Sequence, residues 1–413
     1  MKHSFETGRK IGDPPRMSGM VGPFMDKASP PPRVVFVRSM FGGGDQVENF
    51  RRIRSIFPGR IVPRSARPFT FAGGAPLTLP RTFPNAGSVE DIAAFLDATD
   101  TTGLLILKDD KLVFERYWRG STAATPWPAW SVSKSFTSAL VGIAIRDGAI
   151  AGIDEPVIGY LPELAGSAYD GTRIKDVLQM SSGASWSEDY SDPDSDVNRF
   201  GRTFALGGSL DAFVGTLRRE YAPGTFNRYN SMDAQVLGMI LRRVTGKPEA
   251  DYLWEKLWSP LGMEGDAFWV TDDAGVEFAA GGLTASLRDL AKLGMLYLNG
   301  GRWNGAQVVP ADWVCASVTP DAPHLMPGPR ASSDSAWGYG FQWWLPDDSG
   351  AYAAVGIYNQ FVYVNPALGL VIAKSSANHR YGTTADEASG RQDAHIAFFQ
   401  AIERALAHPP ALV

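Results

Sequence analysis

Apolar residues recur at helical spacing from Ser135 to Asp147 (SFTSALVGIAIRD), and the run stops at Gly148, the residue type that most easily takes the left-handed turn after a helix. Elsewhere the period falls to two. Gly103–Lys108 and Lys111–Tyr117 read as strands joined through Asp109-Asp110, a β-hairpin. Gln360–Val364 and Leu370–Lys374 mirror it around Asn365-Pro366, and Ala394–Ala407 predicts an amphipathic helix. Val89–Leu96 predicts a short helix. The middle, about 160–330, reads as mostly helical: Asp211–Arg218, Asp233–Val244 ending near Gly246, Ala250–Leu257, and a helix capped by Ser286 with Asp289 at its third position. Strands at both ends with helices between them predict an α/β (α+β) domain over residues 86–413. Its antiparallel sheet would come from about 86–120 and 335–375, flanked by helices, with an all-α region inserted. Residues 1–85, rich in Pro, Gly and Arg with little periodicity beyond Val47–Ile56, read as an irregular wrapping segment.

Composition narrows the function classes. With 413 residues, 44% hydrophobic and 20% charged, the chain is an ordinary globular protein with length for a large core. A formal net charge of −5 argues against a dedicated nucleic-acid binder. That average hides an asymmetry: residues 1–70 carry 13 Lys/Arg against 5 Asp/Glu, while the remainder is acidic. The basic segment reads either as an arm for an acidic partner or a second subunit, as in a homodimer, or as a strap pairing with its own acidic body; the strap is the favoured reading. Cys315 is the only cysteine, so no intramolecular disulfide forms. The start, MKHSFETGRKIGDPP, lacks the apolar core of a signal peptide and no run approaches membrane-spanning length, so a cytoplasmic protein without membrane association is expected.

The chemistry begins at Ser131-Val132-Ser133-Lys134, where an extended segment gives way to the first helix described above. Residues i and i+3 share a helix face, so Lys134 can aim its amine at the Ser131 hydroxyl. A hydroxyl attacks only when a base takes its proton, and a desolvated lysine can be neutral enough to serve. Free backbone N–H groups at the helix start lie beside Ser131, where negative charge would develop. Downstream, Pro223–Ser231 is a turn leading into the Asp233 helix, with the Tyr229 phenol and the Ser231 hydroxyl at i and i+2. Alone, that tyrosine reads as a packing residue; beside a Ser-x-x-Lys pair it reads as a proton relay. The histidines His3, His324, His379 and His408 show no ligand spacing, so neither a metal nor another cofactor is expected. No Gly-x-Ser-x-Gly elbow occurs, and Gly42-Gly43-Gly44 lacks the frame and lysine of a phosphate loop.

Several blocks in order carry a family resemblance: Trp130–Ser138 with Gly148–Val157, Leu178–Gly183, Pro223–Ser231 and Gly281–Leu290. Together they resemble the serine β-lactamase and penicillin-binding-protein superfamily over about residues 85–405, and within it the class C-like branch. There the chain is most similar to 6-aminohexanoate-dimer hydrolases and family VIII carboxylesterases. The resemblance implies hydrolysis of small amides or esters through an acyl-enzyme on Ser131, with Lys134 and Tyr229 sharing the proton work. Which of the two is the first base stays open. It further implies an oxyanion hole from the backbone N–H groups of Ser131 and Ile357. By the same resemblance Tyr190, Ser231, Tyr358 and His395 are candidate substrate contacts. Read without it, Tyr190 sits in an acidic loop (Glu188, Asp189, Asp192, Asp194, Asp196) expected to be solvated, and His395 reads as a core histidine.

The departures are specific. Ser231 stands where class C β-lactamases carry Asn, and Gly356-Ile-Tyr-Asn-Gln360 occupies the place of Lys-Thr-Gly, so efficient β-lactam turnover is not expected. Tyr358-Asn359 replaces the His-Gly of the nylon-oligomer hydrolases, which leaves substrate identity open. A carboxylesterase without amidase activity, and a non-catalytic binding or sensor domain of the same fold, are the competing expectations.

Overall fold

The computed structural model describes residues 29–407, so His3, His408 and the first part of the basic segment lie outside it. The predicted hairpin is present, as strands Thr101–Lys108 and Lys111–Tyr117. Asp109 and Asp110 both take positive φ, the turn geometry that matches strand twist. Gln360–Asn365 and Leu370–Ser376 form the second predicted pair. The two pairs meet, Leu370–Ser376 running antiparallel to Thr101–Lys108, so strands separated by some 250 residues of sequence form the centre of one eight-stranded sheet. Tyr352–Gly356, Trp344–Leu345 and Gly338–Tyr339 extend it on one side, and Ala72–Gly73 adds a parallel edge on the other.

The alternation of side chains across the pleat explains why this sheet is buried on both faces. Leu105, Leu107, Val362, Val364, Val371 and Ala373 pack toward the helices Ser133–Arg146 and Leu287–Leu298. Leu104, Ile106, Phe361, Tyr363 and Ile372 face the opposite layer, made by Ile92–Ala98 and Gln392–Ala407. Such strands read as nearly continuous apolar runs, as these do.

Three expectations need correction. The helix expected at Val89–Leu96 starts at Ile92, because Asp91 caps it by accepting from the Ala94 N–H and Ser88–Asp91 pairs instead with Thr82–Asn85. The middle region is not all-helical. Ala267–Val270 and Leu283–Ala285 join Gly59–Val62 and Trp127–Pro128 in a four-stranded antiparallel sheet, whose partners are too distant in sequence for local periodicity to reveal. The N-terminal segment is not simply irregular: Pro32–Ser39, Val47–Arg51 and Ile53–Ile56 are short helices. They bury Phe36, Val47, Phe50 and Ile53 against Trp127, Phe268 and Tyr358. Arg33 pairs with Asp273 and Arg60 with Glu277, the basic strap meeting its own acidic body. No helix among the described residues is long and apolar enough to cross a membrane.

Candidate active site

Ser131 lies in a tight turn, Trp130–Val132, that runs directly into the helix Ser133–Arg146. Trp130 takes φ of +48°, which a bulky L-residue rarely adopts and which costs about 1–3 kcal/mol. Tertiary bonds hold it there. Ser133 donates to the Trp130 carbonyl at 2.6 Å and accepts from the Leu283 N–H at 3.2 Å. The other hydroxyls of this apolar helix are matched too: Ser135 to the Gln342 carbonyl, Ser138 to the Phe341 carbonyl and Thr137 to Glu249. The helix is therefore fixed along its whole first half, and with it the Ser131 turn.

Lys134 is 2% exposed. Its Nζ reaches Ser131 Oγ at 2.8 Å, Ser231 Oγ at 3.2 Å and the Ala280 carbonyl at 2.6 Å. Burial pulls its pKa down to about 8, against the opposing pull of the Glu188 carboxylate. The ammonium also lies 5.0 Å from the centre of the Tyr229 ring, which stacks on Trp344. Burial raises the Tyr229 phenol well above its ordinary pKa, and Glu188 adds to that rise while interaction with Ser131 opposes it. Tyr229 is thus a protonated phenol at neutral pH.

Glu188 is the residue that sequence reasoning missed. Its Oε1 accepts from Ser231 Oγ at 2.7 Å and from the Tyr190 hydroxyl at 2.6 Å, and its Oε2 accepts from the Trp186 indole. The loop expected to be solvated therefore sends one carboxylate into the site. A signal was available: Trp186, Glu188 and Tyr190 alternate, and an extended backbone puts i, i+2 and i+4 on one side.

Ser131, Tyr190, Tyr229, Ser231 and Ile357 all border one cleft. Ile357 follows the strand Tyr352–Gly356, and the loop it begins is held by the Gln360 side chain, which donates to the Ile357, Tyr358 and Ser376 carbonyls. Gly356 lets that strand end approach the serine turn, since a Cβ there would sit 2.5 Å from the Ala129 carbonyl oxygen.

Two expected substrate contacts are elsewhere. Tyr358 is 1% exposed, stacks on Phe41 at 5.6 Å and accepts from the Phe41 N–H, so it cements the N-terminal segment to the sheet rather than facing the cleft. His395 is fully buried in the layer on the far face of the sheet, its ring against Phe95 and Phe361. Burial pushes its pKa well below the usual histidine range, and Nδ1 donates to the Arg391 carbonyl. It is a neutral core side chain.

Residues 90–397 match the Beta-lactamase family. A 6-aminohexanoate-dimer hydrolase of Paenarthrobacter ureafaciens is 33% identical over 301 residues, covering 71% of this chain and 76% of that protein. Among solved structures, a Bacillus anthracis protein assigned as a 6-aminohexanoate-dimer hydrolase superposes with a TM-score of 0.76 at 24% identity, over 87% of this chain and 93% of its own. EstCE1, described as a hydrolase with promiscuous acyltransferase activity, superposes with a TM-score of 0.60 at 16% identity, over 75% and 96% of the two chains. Blocks in order, matching fold and length-wide similarity agree: this chain is a hydrolase of the Beta-lactamase family.

Proposed function

We propose that the protein is a serine hydrolase that cleaves small linear amides, as its aminohexanoate-dimer hydrolase relative suggests, or short-chain esters, through an acyl-enzyme on Ser131. The observation that carries this reading is the hydrogen-bond inventory at Lys134. The Ala280 carbonyl can only accept, and the Ser231 hydroxyl, having given its proton to Glu188, offers lone pairs. A neutral amine has two N–H donors and one lone pair. With both donors so engaged, the lone pair is left for the Ser131 hydroxyl at 2.8 Å. Lys134 is then the first base, and the protonated Tyr229 relays a proton to the leaving group.

In the first half-reaction Ser131 Oγ bonds to the carbonyl carbon as its proton passes to Lys134. The carbon–nitrogen or carbon–oxygen bond then breaks, and the proton leaves with the amine or alcohol by way of Tyr229. Water, activated by the same groups, cleaves the acyl-enzyme and restores Ser131. The backbone N–H groups of Ser131 and Ile357 hold the oxyanion, where one donor is worth about 3 kcal/mol.

A carboxylesterase without amidase activity is the second reading, favoured by the commitment of the Tyr190 proton to Glu188. So engaged, Tyr190 cannot protonate a leaving nitrogen, although its oxygen can still accept an amide N–H. One experiment covers both readings. Ser131→Ala should abolish hydrolysis of p-nitrophenyl esters and linear aminohexanoate amides, and mass spectrometry of the wild type should place an acyl or phosphonyl adduct on Ser131. Labelling at Ser133 or Ser135 would overturn the assignment. Tyr190→Phe should depress amide turnover far more than ester turnover under the amidase reading; equal losses favour the carboxylesterase.

A further inference from the structure

Two cavities of opposite character meet at Ser131. On one side lies a chamber of about 110 Å³ whose walls carry no charged side chain. Phe200, Phe204 and Phe278 form its inner wall, and Phe36, Met40 and Phe57 of the N-terminal segment form the other. Phe204 stacks flat on Phe57 with ring centres 5.4 Å apart, so the two walls are in contact. On the other side lies a larger cavity of about 420 Å³, bordered by Glu188, Asp189, Asp386 and Glu387. Tyr229 borders this second cavity and is absent from the walls of the first.

That placement orients the substrate. A leaving group must lie where the phenol can give it a proton, so it occupies the acidic side, and the acyl group bonded to Ser131 extends into the apolar chamber. We propose that the protein selects medium-length, uncharged acyl chains, and that the N-terminal segment, residues 36–57, is a specificity element of the active site rather than only a strap. The inference rests on the serine-hydrolase reading above and narrows it, placing amino-terminated acyl groups such as 6-aminohexanoyl below uncharged ones as substrates. The acyl chain is apolar to its end, because a terminal ammonium in this chamber would be buried with no counter-charge on its walls.

The volume sets the length. A cavity of about 150 Å³ lined by similar residues holds benzene, so about 110 Å³ holds about four carbons beyond the carbonyl. Each buried methylene favours the transition state by about fourfold until the chamber is full.

The test uses the full-length protein with p-nitrophenyl esters from acetyl to dodecanoyl, plus the 6-aminohexanoyl ester. The value of kcat/KM should climb to a maximum at about five to six carbons and fall beyond, and hexanoyl should exceed 6-aminohexanoyl by about 100-fold. Phe204→Ala, which widens the chamber, should move the maximum to longer chains. Val37→Phe, at a residue of the N-terminal segment that also lines the chamber, should fill it and move the maximum toward acetyl. Thermal melting and phosphonate labelling of Ser131 confirm that each variant is folded and competent. A flat length profile, or a maximum that neither competent variant moves, overturns the chamber while leaving Ser131 as nucleophile. Absence of both Ser131 labelling and ester hydrolysis in the wild type overturns the underlying reading and the inference with it.

Discussion

At the scale of single residues, the site is a chain of committed protons. Trp186, Tyr190 and Ser231 all donate to Glu188, and that fixes which way Ser231 faces Lys134. The pH dependence follows with a definite sign. On the proposal that neutral Lys134 is the base, its pKa of about 8 means that kcat/KM should rise with pH and level off above that value. The Glu188 carboxylate raises the Lys134 pKa; Glu188→Gln removes the charge while keeping an acceptor for Ser231. The rising limb should therefore move to lower pH, and the plateau should fall about tenfold or more as charge-assisted bonds are lost. A limb that stays in place, read from initial rates across pH 6–10, would assign Glu188 a packing role only. Lys134→Arg should be nearly inactive at every pH, because a guanidinium keeps its proton.

At the scale of elements, two segments far apart in sequence must meet to build the site: the left-handed turn at Trp130 and the strand end at Gly356. Their contact tolerates no side chain, since a Cβ on Gly356 would fall 2.5 Å from the Ala129 carbonyl oxygen and 3.1 Å from the Trp130 Cβ. Gly356→Ala should push the strand end away from the serine turn and carry the Ile357 N–H with it. A displacement near 1 Å costs about 100-fold in rate. The loss should appear in kcat for amides and esters alike, with KM little changed, alongside destabilisation of about 1–3 kcal/mol from overpacking. Urea titration and steady-state kinetics on the same preparation check both halves.

At the scale of the whole molecule, the larger cavity beside Ser131 is bordered by four carboxylates and by no lysine or arginine, in a chain of net charge −5. The strand that would carry Lys-Thr-Gly in a class C β-lactamase ends here in Gly356-Ile-Tyr, so no cation there meets a substrate carboxylate. An anionic β-lactam such as nitrocefin should be turned over far more slowly than a neutral ester. Its KM should fall as salt is raised from about 0.05 to 0.5 M, because screening weakens repulsion between exposed charges. A neutral ester should show no such salt effect. Salt-independent KM for nitrocefin would remove electrostatics as the cause of the discrimination.

Local order was enough for much of this protein. Helical period and the i, i+3 spacing placed Lys134 on the face of Ser131, and alternation with the Asp109-Asp110 turn placed the central hairpin. Both depend on contacts within a few residues, which a sequence displays directly. The Tyr229 and Ser231 pair was legible as a turn feature, though only the neighbouring Ser-x-x-Lys gave it meaning. The small sheet was hidden because its strands come from residues 59–62, 127–128, 267–270 and 283–285, and no local period encodes that pairing. Glu188 was read with its acidic neighbours because charge alone does not tell an inward carboxylate from a solvated one; the donors of Trp186, Tyr190 and Ser231 made the difference. His395 and Tyr358 show the converse, side chains able to do chemistry whose surroundings make them core. The sequence determined that Ser131 and Lys134 meet, because their geometry is that of one helical turn. Only the tertiary structure decided which other side chains face them, and that the N-terminal helices wall the cleft, because Phe57 stacks on Phe204 and Phe36 shares its cluster with Trp127 and Phe268, all distant in the sequence.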